Sequence, residues 1–362
     1  MNIKKKLKNL ITIPLSIYHY KKGNLRLPYM PTMAWIEPTN VCNLKCIMCP
    51  NSVIAQKNPG FMSMDLYKKI IDEGKDFFNN VILCLAGEPF LHKELPQMVK
   101  YAKDKGIGVM LSTNGTVMSK EASRAVLEAG LDWINFSFDG CSKEIYEKIR
   151  VGGNFERTLS NIIEFLKIKK ELRAKTEVEI QILTMDEAGR KDFEENIEKF
   201  KKNFEGLPLN NIQVRMPSTW GGVLHGTEKY KYKELSKTYS PCSYLWSSMH
   251  FLWDGSVVAC TTDFWGLNKL GEFPKQSLKE IWNGQKFKDF RKAMVDKEYN
   301  KFFKYCDKCD GLWSERIFGL PPGIRGVSAY AFSYVFGYSA IKVFKKIAQR
   351  LNPSFVMKSV KK

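Results

Sequence analysis

The sequence lacks a secretory signal, because its first residues are strongly basic and the apolar run that follows them is short and interrupted. Without such a signal, its nine cysteines do not favour disulfides, which form in oxidising compartments. We therefore expect reduced thiols, metal ligands and a cytoplasmic protein.

Acidic residues are missing from both ends of the chain. Residues 1–35 contain seven basic side chains and residues 325–362 contain eight, with no acid in either segment. Removing those fifteen from the 57 basic residues leaves 42 against 38 acids, so most of the net charge of +19 belongs to the two ends. Because no aromatic and basic recognition module accompanies the charge, we do not expect nucleic acid as a partner.

A membrane-spanning apolar run is not evident either. Residues 326–341 form an uncharged stretch of sixteen residues, which is shorter than the about twenty that a spanning helix needs. Its aromatic residues and the lysines after it are typical of a helix that lies on an anionic membrane surface, and the N-terminal segment has the same character. The alternative is that both ends pack on the body of the protein while their lysines face water.

From residue 33 to residue 218, short β-rich runs alternate with helical patterns, which predicts βα units around a parallel sheet. We therefore expect an α/β fold with a partial (βα)6 barrel of the TIM type, open on one side. The polar clusters follow the strands, where such folds collect their chemistry. The six predicted strands are Met33–Thr39, Asn80–Glu88, Ile107–Gly115, Asp132–Gly140, Glu177–Met185 and Asn211–Ser218.

The pattern changes after the barrel. Residues 247–260 predict two short strands around an Asp-Gly turn, and two helical segments follow. The predicted organisation is a basic amphipathic arm (1–32), the barrel (33–235), a small cysteine-bearing domain of a hairpin plus helices (236–318) and a basic aromatic tail (319–362).

Cys42, Cys46 and Cys49 lie in one loop with the spacing Cys-x3-Cys-x2-Cys. Each can bind one iron of a cubane, which leaves the fourth iron without a local thiolate. An open coordination position is what a catalytic metal needs. A zinc site, or an electron-transfer cluster completed by a distant cysteine, is the alternative.

Residues 42–50 (CNLKCIMCP) resemble the cluster loop of the radical S-adenosylmethionine (SAM) superfamily. The resemblance implies a [4Fe-4S] cluster whose open iron is chelated by SAM. It also implies a reductant such as flavodoxin or ferredoxin, and cleavage of SAM to a 5′-deoxyadenosyl radical that abstracts a substrate hydrogen.

Residues 86–89 (AGEP) resemble the GGEP motif of the same family, with alanine in place of the first glycine. There, Gly87 would let the backbone approach the SAM amino group, and Glu88 would accept a hydrogen bond from it; a turn that ends the strand is the alternative. The family also implies contacts to SAM from Asn114, Ser137 (ribose) and Arg150 (carboxylate). Arg150 could instead be a solvated helix end, and Asp139 a helix cap.

A second set of thiols, Cys242, Cys260, Cys306 and Cys309, follows the barrel. Four thiolates also suit zinc, but their position resembles the SPASM and twitch domains of the superfamily. Their spacing is similar to that in 2-deoxy-scyllo-inosamine dehydrogenases, which implies one fully ligated auxiliary [4Fe-4S] cluster that accepts an electron. The predicted reaction is oxidation of a hydroxylated small molecule, a sugar or a lipid-linked head group.

Two other functions stay open. A peptide-modifying SPASM maturase would need a peptide-binding module before the barrel, for which residues 1–32 are short; a non-catalytic iron–sulfur electron-transfer or binding protein would not cleave SAM. His92 follows the Glu88 loop and is the candidate acid or base. We interpret Cys84 as a buried small hydrophobe and Cys141 as an incidental loop thiol.

Overall fold

The computed structural model describes residues 3–53, 58–218, 220–222 and 238–313, and only the backbone of residues 3–10, 53 and 222. The predicted alternation of strands and helices is confirmed, and the strands are shorter than their sequence patterns. The strands are β1 (Met33–Ile36), β2 (Asn80–Leu83), β3 (Gly108–Thr113), β4 (Trp133–Ser137), β5 (Glu177–Leu183), β6 (Asn211–Arg215), β7 (Ser248–Phe251), β8 (Ser256–Val258) and β9 (Lys269–Glu272).

Local capping explains where several helices begin. Ser63 accepts a hydrogen bond from the backbone of Leu66, which satisfies an N–H group that the first turn leaves free. Ser119, Ser142, Asn154 and Asp186 cap later helices in the same way. The helices are α1 (Ile3–Lys22), α2 (Pro50–Val53), α3 (Met64–Gly74), α4 (Leu95–Asp104), α5 (Lys120–Glu128), α6 (Lys143–Ile149), α7 (Phe155–Glu171), α8 (Glu187–Lys202), α9 (Tyr244–Ser247), α10 (Leu278–Trp282) and α11 (Gln285–Asp296).

All nine strands form one sheet in the order β6-β5-β4-β3-β2-β1-β7-β8-β9. Strands β1 to β6 are parallel, and the hairpin of β7 and β8 is antiparallel, as its Asp-Gly turn predicts. β7 also pairs in parallel with β1, with Trp35 opposite His250. The hairpin therefore continues the barrel sheet at its first strand.

The two faces of the sheet differ. Side chains that alternate toward the helices, such as Val109, Ile134 and Ile180, are buried in the main core. On the inner face, Met33, Ile82 and Met110 form a small apolar floor. Because this floor lies toward the start of the strands, the carboxyl ends of the strands remain as the place for a site.

The N-terminal arm packs against the C-terminal part of the chain. Tyr20 donates its hydroxyl hydrogen to the carbonyl of Pro241 (2.9 Å), and Trp282 donates its indole N–H to the carbonyl of Tyr29 (2.7 Å). Among the described residues, no helix is long and apolar enough to cross a membrane. The C-terminal tail, with its basic and aromatic residues, lies outside the described residues.

Candidate active site

The loop that contains Cys42, Cys46 and Cys49 follows β1 and is held by main-chain contacts. The N–H groups of Lys45 and Ile47 donate to carbonyls at the end of α6 (2.9 and 3.1 Å). Cys46 is buried in a small apolar cluster, against which the other two cysteines pack. Burial raises the pKa of Cys42 to about 12, so its proton leaves when a metal binds.

Gly87 lies where the second strand passes the cysteine loop. A Cβ atom added to it would lie 2.2 Å from the carbonyl oxygen of Thr39 and 2.6 Å from that of Val41. The next N–H group, of Glu88, donates to the Val41 carbonyl (2.8 Å). Any side chain at Gly87 would therefore displace the loop that leads to Cys42.

Glu88 is buried and bonded within the protein. Its carboxylate accepts hydrogen bonds from the hydroxyl of Thr113 (2.7 Å), the N–H of Asn114 (2.7 Å) and the N–H of Phe90 (3.0 Å). Burial raises its pKa, and these hydrogen bonds oppose that effect. Glu88 thus joins the ends of β2 and β3 beside the cysteine loop.

Asn114 connects the end of β3 to the same loop. Its Nδ2 lies 3.1 Å from Oδ1 of Asn43 and 3.9 Å from Sγ of Cys42. Ser137, in contrast, lies on the inner face of β4, where its Oγ is 3.5 Å from Nδ2 of Asn135. The structure therefore brings Asn114 to the cysteines and places Ser137 on the inner wall of the barrel.

Arg150 is buried, which is inconsistent with a solvated helix end. It forms an ion pair with Asp139, and its Nη1 lies 3.6 Å from Sγ of Cys46. Asp139 also accepts from the N–H of Leu183 (2.9 Å); its alternative role as a cap for α6 is wrong, because Ser142 caps that helix. Nε of Arg150 is buried without a hydrogen-bond partner, and 10% of the side chain remains exposed.

His92 and His250 are both engaged within the protein. His92 accepts from the N–H of Glu94 at Nδ1 (3.1 Å), so Nε2 is the donor to the carbonyl of Met62 (2.8 Å). Both nitrogens are therefore used by the backbone, which does not support His92 as acid or base. His250 packs between Trp35 and Tyr244, and burial lowers its pKa to about 3.

The second set of cysteines also comes together. Burial raises the pKa of Cys242, and the neighbouring thiols of Cys260 and Cys309 raise it further. Cys306 responds in the same way to the other three. Of the two remaining thiols, Cys84 packs on the apolar floor and Cys141 is buried in the main core.

Both donor sets fit iron–sulfur clusters in their chemistry, because they consist of thiols. Among the described residues, no three Cys, His, Asp or Glu side chains lie close enough to hold a single metal ion. A cubane keeps its thiolates apart because each binds a different iron, whereas zinc draws four thiolates to one ion. Thiol donors are compatible with either kind of site.

One buried acid near the site was not predicted. Glu37 follows β1 and accepts hydrogen bonds from the N–H of Ala86 and from that of Trp253 (3.1 Å each). It thereby joins the AGEP segment to the hairpin turn of the second domain. Burial raises its pKa to about 7. The only signal in the sequence is an acidic residue directly after an apolar strand.

Two family models match the chain. The model of the radical SAM superfamily matches residues 36–200, and that of the SPASM iron–sulfur cluster-binding domain matches residues 242–310. The chain contains a radical SAM domain and a SPASM domain. The two domains imply SAM, a SAM-binding [4Fe-4S] cluster and an auxiliary cluster.

Curated relatives match the chain in part. Fe-coproporphyrin III synthase of Methanosarcina barkeri is 34% identical over 36% of this chain and 33% of its own length. The probable GTP 3′,8-cyclase of Methanococcus maripaludis is 34% identical over 41% of this chain and 48% of its own length. AdoMet-dependent heme synthase of Oleidesulfovibrio alaskensis is 33% identical over 39% and 36%. The matches thus span between a third and a half of these relatives.

Solved structures of radical SAM proteins share the fold. BtrN in complex with AdoMet and 2-DOIA has a TM-score of 0.53 at 19% identity, over 81% of this chain and 98% of BtrN. SuiB of Streptococcus suis, bound to precursor peptide SuiA, has a TM-score of 0.57 at 14% identity, over 82% and 74%. Native anSMEcpe with bound AdoMet has a TM-score of 0.55 at 18% identity, over 89% and 100%.

Proposed function

We propose that this radical SAM enzyme oxidises a hydroxylated small molecule, a sugar or a lipid-linked head group. The observation that supports this substrate class is a patch of hydrogen-bonding side chains on the inner wall of the barrel, most of them uncharged, with Glu179 between Asn135 and Asn211. Ser137, Gln181 and Gln213 lie side by side across β4, β5 and β6, and Ser112 lies beside Asn135 across β3 and β4.

These side chains suit hydroxyl groups because each amide or hydroxyl can both donate and accept. Nδ2 of Asn135 lies 3.3 Å from Oγ of Ser112, which orients the pair. Below them, the apolar floor of Met33, Ile82 and Met110 closes the barrel and limits the access of water. The wall therefore offers hydrogen-bonding groups for a substrate above an apolar floor.

We further propose that Cys42, Cys46 and Cys49 hold the SAM-binding cluster, and that the four later cysteines hold the auxiliary cluster. When bound, the first cluster and SAM supply the radical that abstracts hydrogen, and the auxiliary cluster supplies an electron acceptor. Gly87 lets the cysteine loop pack closely on the AGEP segment, and Asn114 and Arg150 offer donors to SAM. Abstraction of a carbinol hydrogen, followed by loss of one electron and one proton, amounts to a two-electron oxidation.

The experiment uses anaerobic protein reconstituted with iron and sulfide. With SAM and a reductant of the flavodoxin or ferredoxin class, we expect 5′-deoxyadenosine, and with the right alcohol a carbonyl product. Two cubanes correspond to roughly eight irons per chain. Absence of 5′-deoxyadenosine would contradict the catalytic proposal, and about four irons with one zinc would contradict the auxiliary cluster.

The peptide-modifying alternative receives no support from the arm. In the arm, the N–H of Leu27 donates to Asn283 and the carbonyl of Tyr29 accepts from Trp282, so that these residues serve the fold. The names of the curated relatives include a GTP cyclase and a heme synthase. Because those matches are partial, they support radical SAM chemistry but no particular substrate. The proposed substrate class rests on the side chains of the inner wall.

We also propose that the enzyme works at an anionic membrane surface. The support is the basic, acid-free sequence at both ends and an exposed apolar stripe on α1, defined by Ile11, Pro14 and Tyr18. Vesicle flotation of the full chain and of a chain without residues 325–362 tests this. If neither floats with anionic vesicles, the membrane proposal is wrong and the catalytic proposal is unaffected.

A further inference from the structure

Trp220 touches the loop of the first cysteine set. It begins a three-residue helical turn, Trp220–Gly222, after β6. Its indole N–H donates to the carbonyl of Met48 at 3.0 Å. Met48 lies between Cys46 and Cys49, so this hydrogen bond fixes the backbone between two of the proposed cluster ligands.

The same turn touches the second cysteine set. The ring of Trp220 packs on Phe264 with a centroid distance of 5.4 Å, and Phe264 follows Cys260 by four residues. A Cβ atom added to Gly221 would lie 2.3 Å from the carbonyl oxygen of Tyr305, which precedes Cys306. The turn is therefore packed against the main chain that presents the auxiliary cysteines.

The backbone of Trp220 is strained, and its surroundings hold it in place. Its φ is +48°, in the left-handed region that is unfavourable for a residue with a side chain. Its N–H donates to Oγ of Ser218 (3.2 Å), which in turn donates to Asp310 (3.2 Å), the neighbour of Cys309. Such strain persists where neighbouring structure imposes it, and it is common at functional sites.

We propose that Trp220 is a positioning residue that couples the two cluster sites. Contacts of Ser218, Gly221 and Phe264 hold Trp220 in place on the auxiliary side. The hydrogen bond from Trp220 to the Met48 carbonyl then holds the loop on the SAM side. Filling or emptying the auxiliary site therefore changes the affinity of the first site for SAM. The inference rests on the proposed assignment of the two cysteine sets.

The test is a cycle of variants of the full, reconstituted chain. The dissociation constant for SAM and the SAM-induced change in the electron paramagnetic resonance spectrum are measured with the auxiliary site intact and with Cys309→Ala. We expect Cys309→Ala to weaken SAM binding in the parent. The quantity compared is the ratio of the dissociation constant for SAM with Cys309→Ala to that with the auxiliary site intact. Trp220→Phe should reduce this ratio by about twofold to tenfold, which corresponds to one hydrogen bond.

The matched control is Trp265→Phe. Trp265 lies beside Phe264, and its buried indole nitrogen has no hydrogen-bond partner, so its loss should leave the ratio unchanged. Trp220→Tyr repeats the test if the Phe variant retains too little iron. An unchanged ratio in both Trp220 variants, a parent ratio of one, or an equal effect of Trp265→Phe would each overturn the proposal. The measurement does not involve substrate oxidation. A failure of the proposed oxidation therefore leaves the result of this test unaffected.

Discussion

Arg150 occupies a buried position between Asp139 and the sulfur of Cys46, and 10% of its side chain remains exposed. Lysine at this position keeps the charge beside Asp139 but loses the planar set of donors. We expect Arg150→Lys to raise the dissociation constant for SAM about tenfold, as for one lost hydrogen bond to a charged group. Arg157→Lys, an exposed substitution, is the control. Equal SAM affinity in both variants would show that Arg150 does not contact SAM.

Glu37 gives the site a pH dependence. Its pKa rises from the ordinary 4.5 to about 7, chiefly by burial. Between these values the folded protein binds more protons than the unfolded chain, so this stability is fully present below about pH 4.5 and is lost as the pH rises through 7. The difference corresponds to about 3 kcal/mol.

Replacing Glu37 by glutamine should therefore flatten the dependence of Tm on pH. Measured anaerobically by circular dichroism, the fall in Tm between pH 5.5 and pH 8 should be smaller in Glu37→Gln than in the parent. Glu179→Gln serves as the control, because Glu179 lies in β5 and is partly exposed. An identical fall in Glu37→Gln and the parent would mean that Glu37 is ionised across this range.

At the residue scale, the sequence predicts what is local. The seven cysteines could be found because their spacing and their place after strands are visible in the chain. Glu37 and Trp220 could not, because their partners lie far away in sequence: Glu37 bonds Trp253, and Trp220 bonds Met48. His92 illustrates the opposite error, since its place near Glu88 in sequence does not reveal that the backbone uses both nitrogens.

At the element scale, strands and helices of the barrel could be predicted from periodicity, whereas the join between barrel and hairpin could not. The pairing of β1 with β7 connects segments about two hundred residues apart, and nothing in either short strand specifies it. The same holds for the arm, which sequence patterning presents as a separate amphipathic segment. Its contacts with the C-terminal part depend on side chains such as Asn283 and Trp282. In the sequence alone, these residues indicate only the end of a helix.

Asn283 tests the role of the arm. Its amide accepts from the N–H of Leu27 and donates to the carbonyl of Leu27 (2.9 Å each). Asn283→Ala leaves both groups without that partner, which costs about 1–3 kcal/mol, so we expect the Tm to fall by several degrees. Gln285→Ala removes only an exposed bond to Asp289 and should leave the Tm nearly unchanged. Equal Tm values for the two variants would mean that the arm does not brace this domain.

At the scale of the whole molecule, the charge pattern separates the chain into a nearly neutral catalytic body and basic ends. α1 contains no acidic residue, and its inner side is fixed to the body through Tyr20. The outer side exposes Ile11 and Tyr18, whose side chains lie seven residues apart on one face of the helix. An apolar stripe within a basic helix matches an anionic lipid surface better than it matches water.

Charge placed on this stripe should therefore weaken membrane binding. We expect the double variant Ile11→Glu/Tyr18→Glu to float less with vesicles that contain phosphatidylglycerol. Each basic residue near such a surface contributes about 1 kcal/mol, so high salt should release the parent as well. Leu267→Glu is the matched control, because Leu267 is 61% exposed and Ile11 is 64% exposed, yet Leu267 lies in a loop of the SPASM domain. Should Leu267→Glu reduce flotation as much as the double variant, or should neutral vesicles bind equally well, the contact would not be the apolar stripe of α1 on an anionic surface.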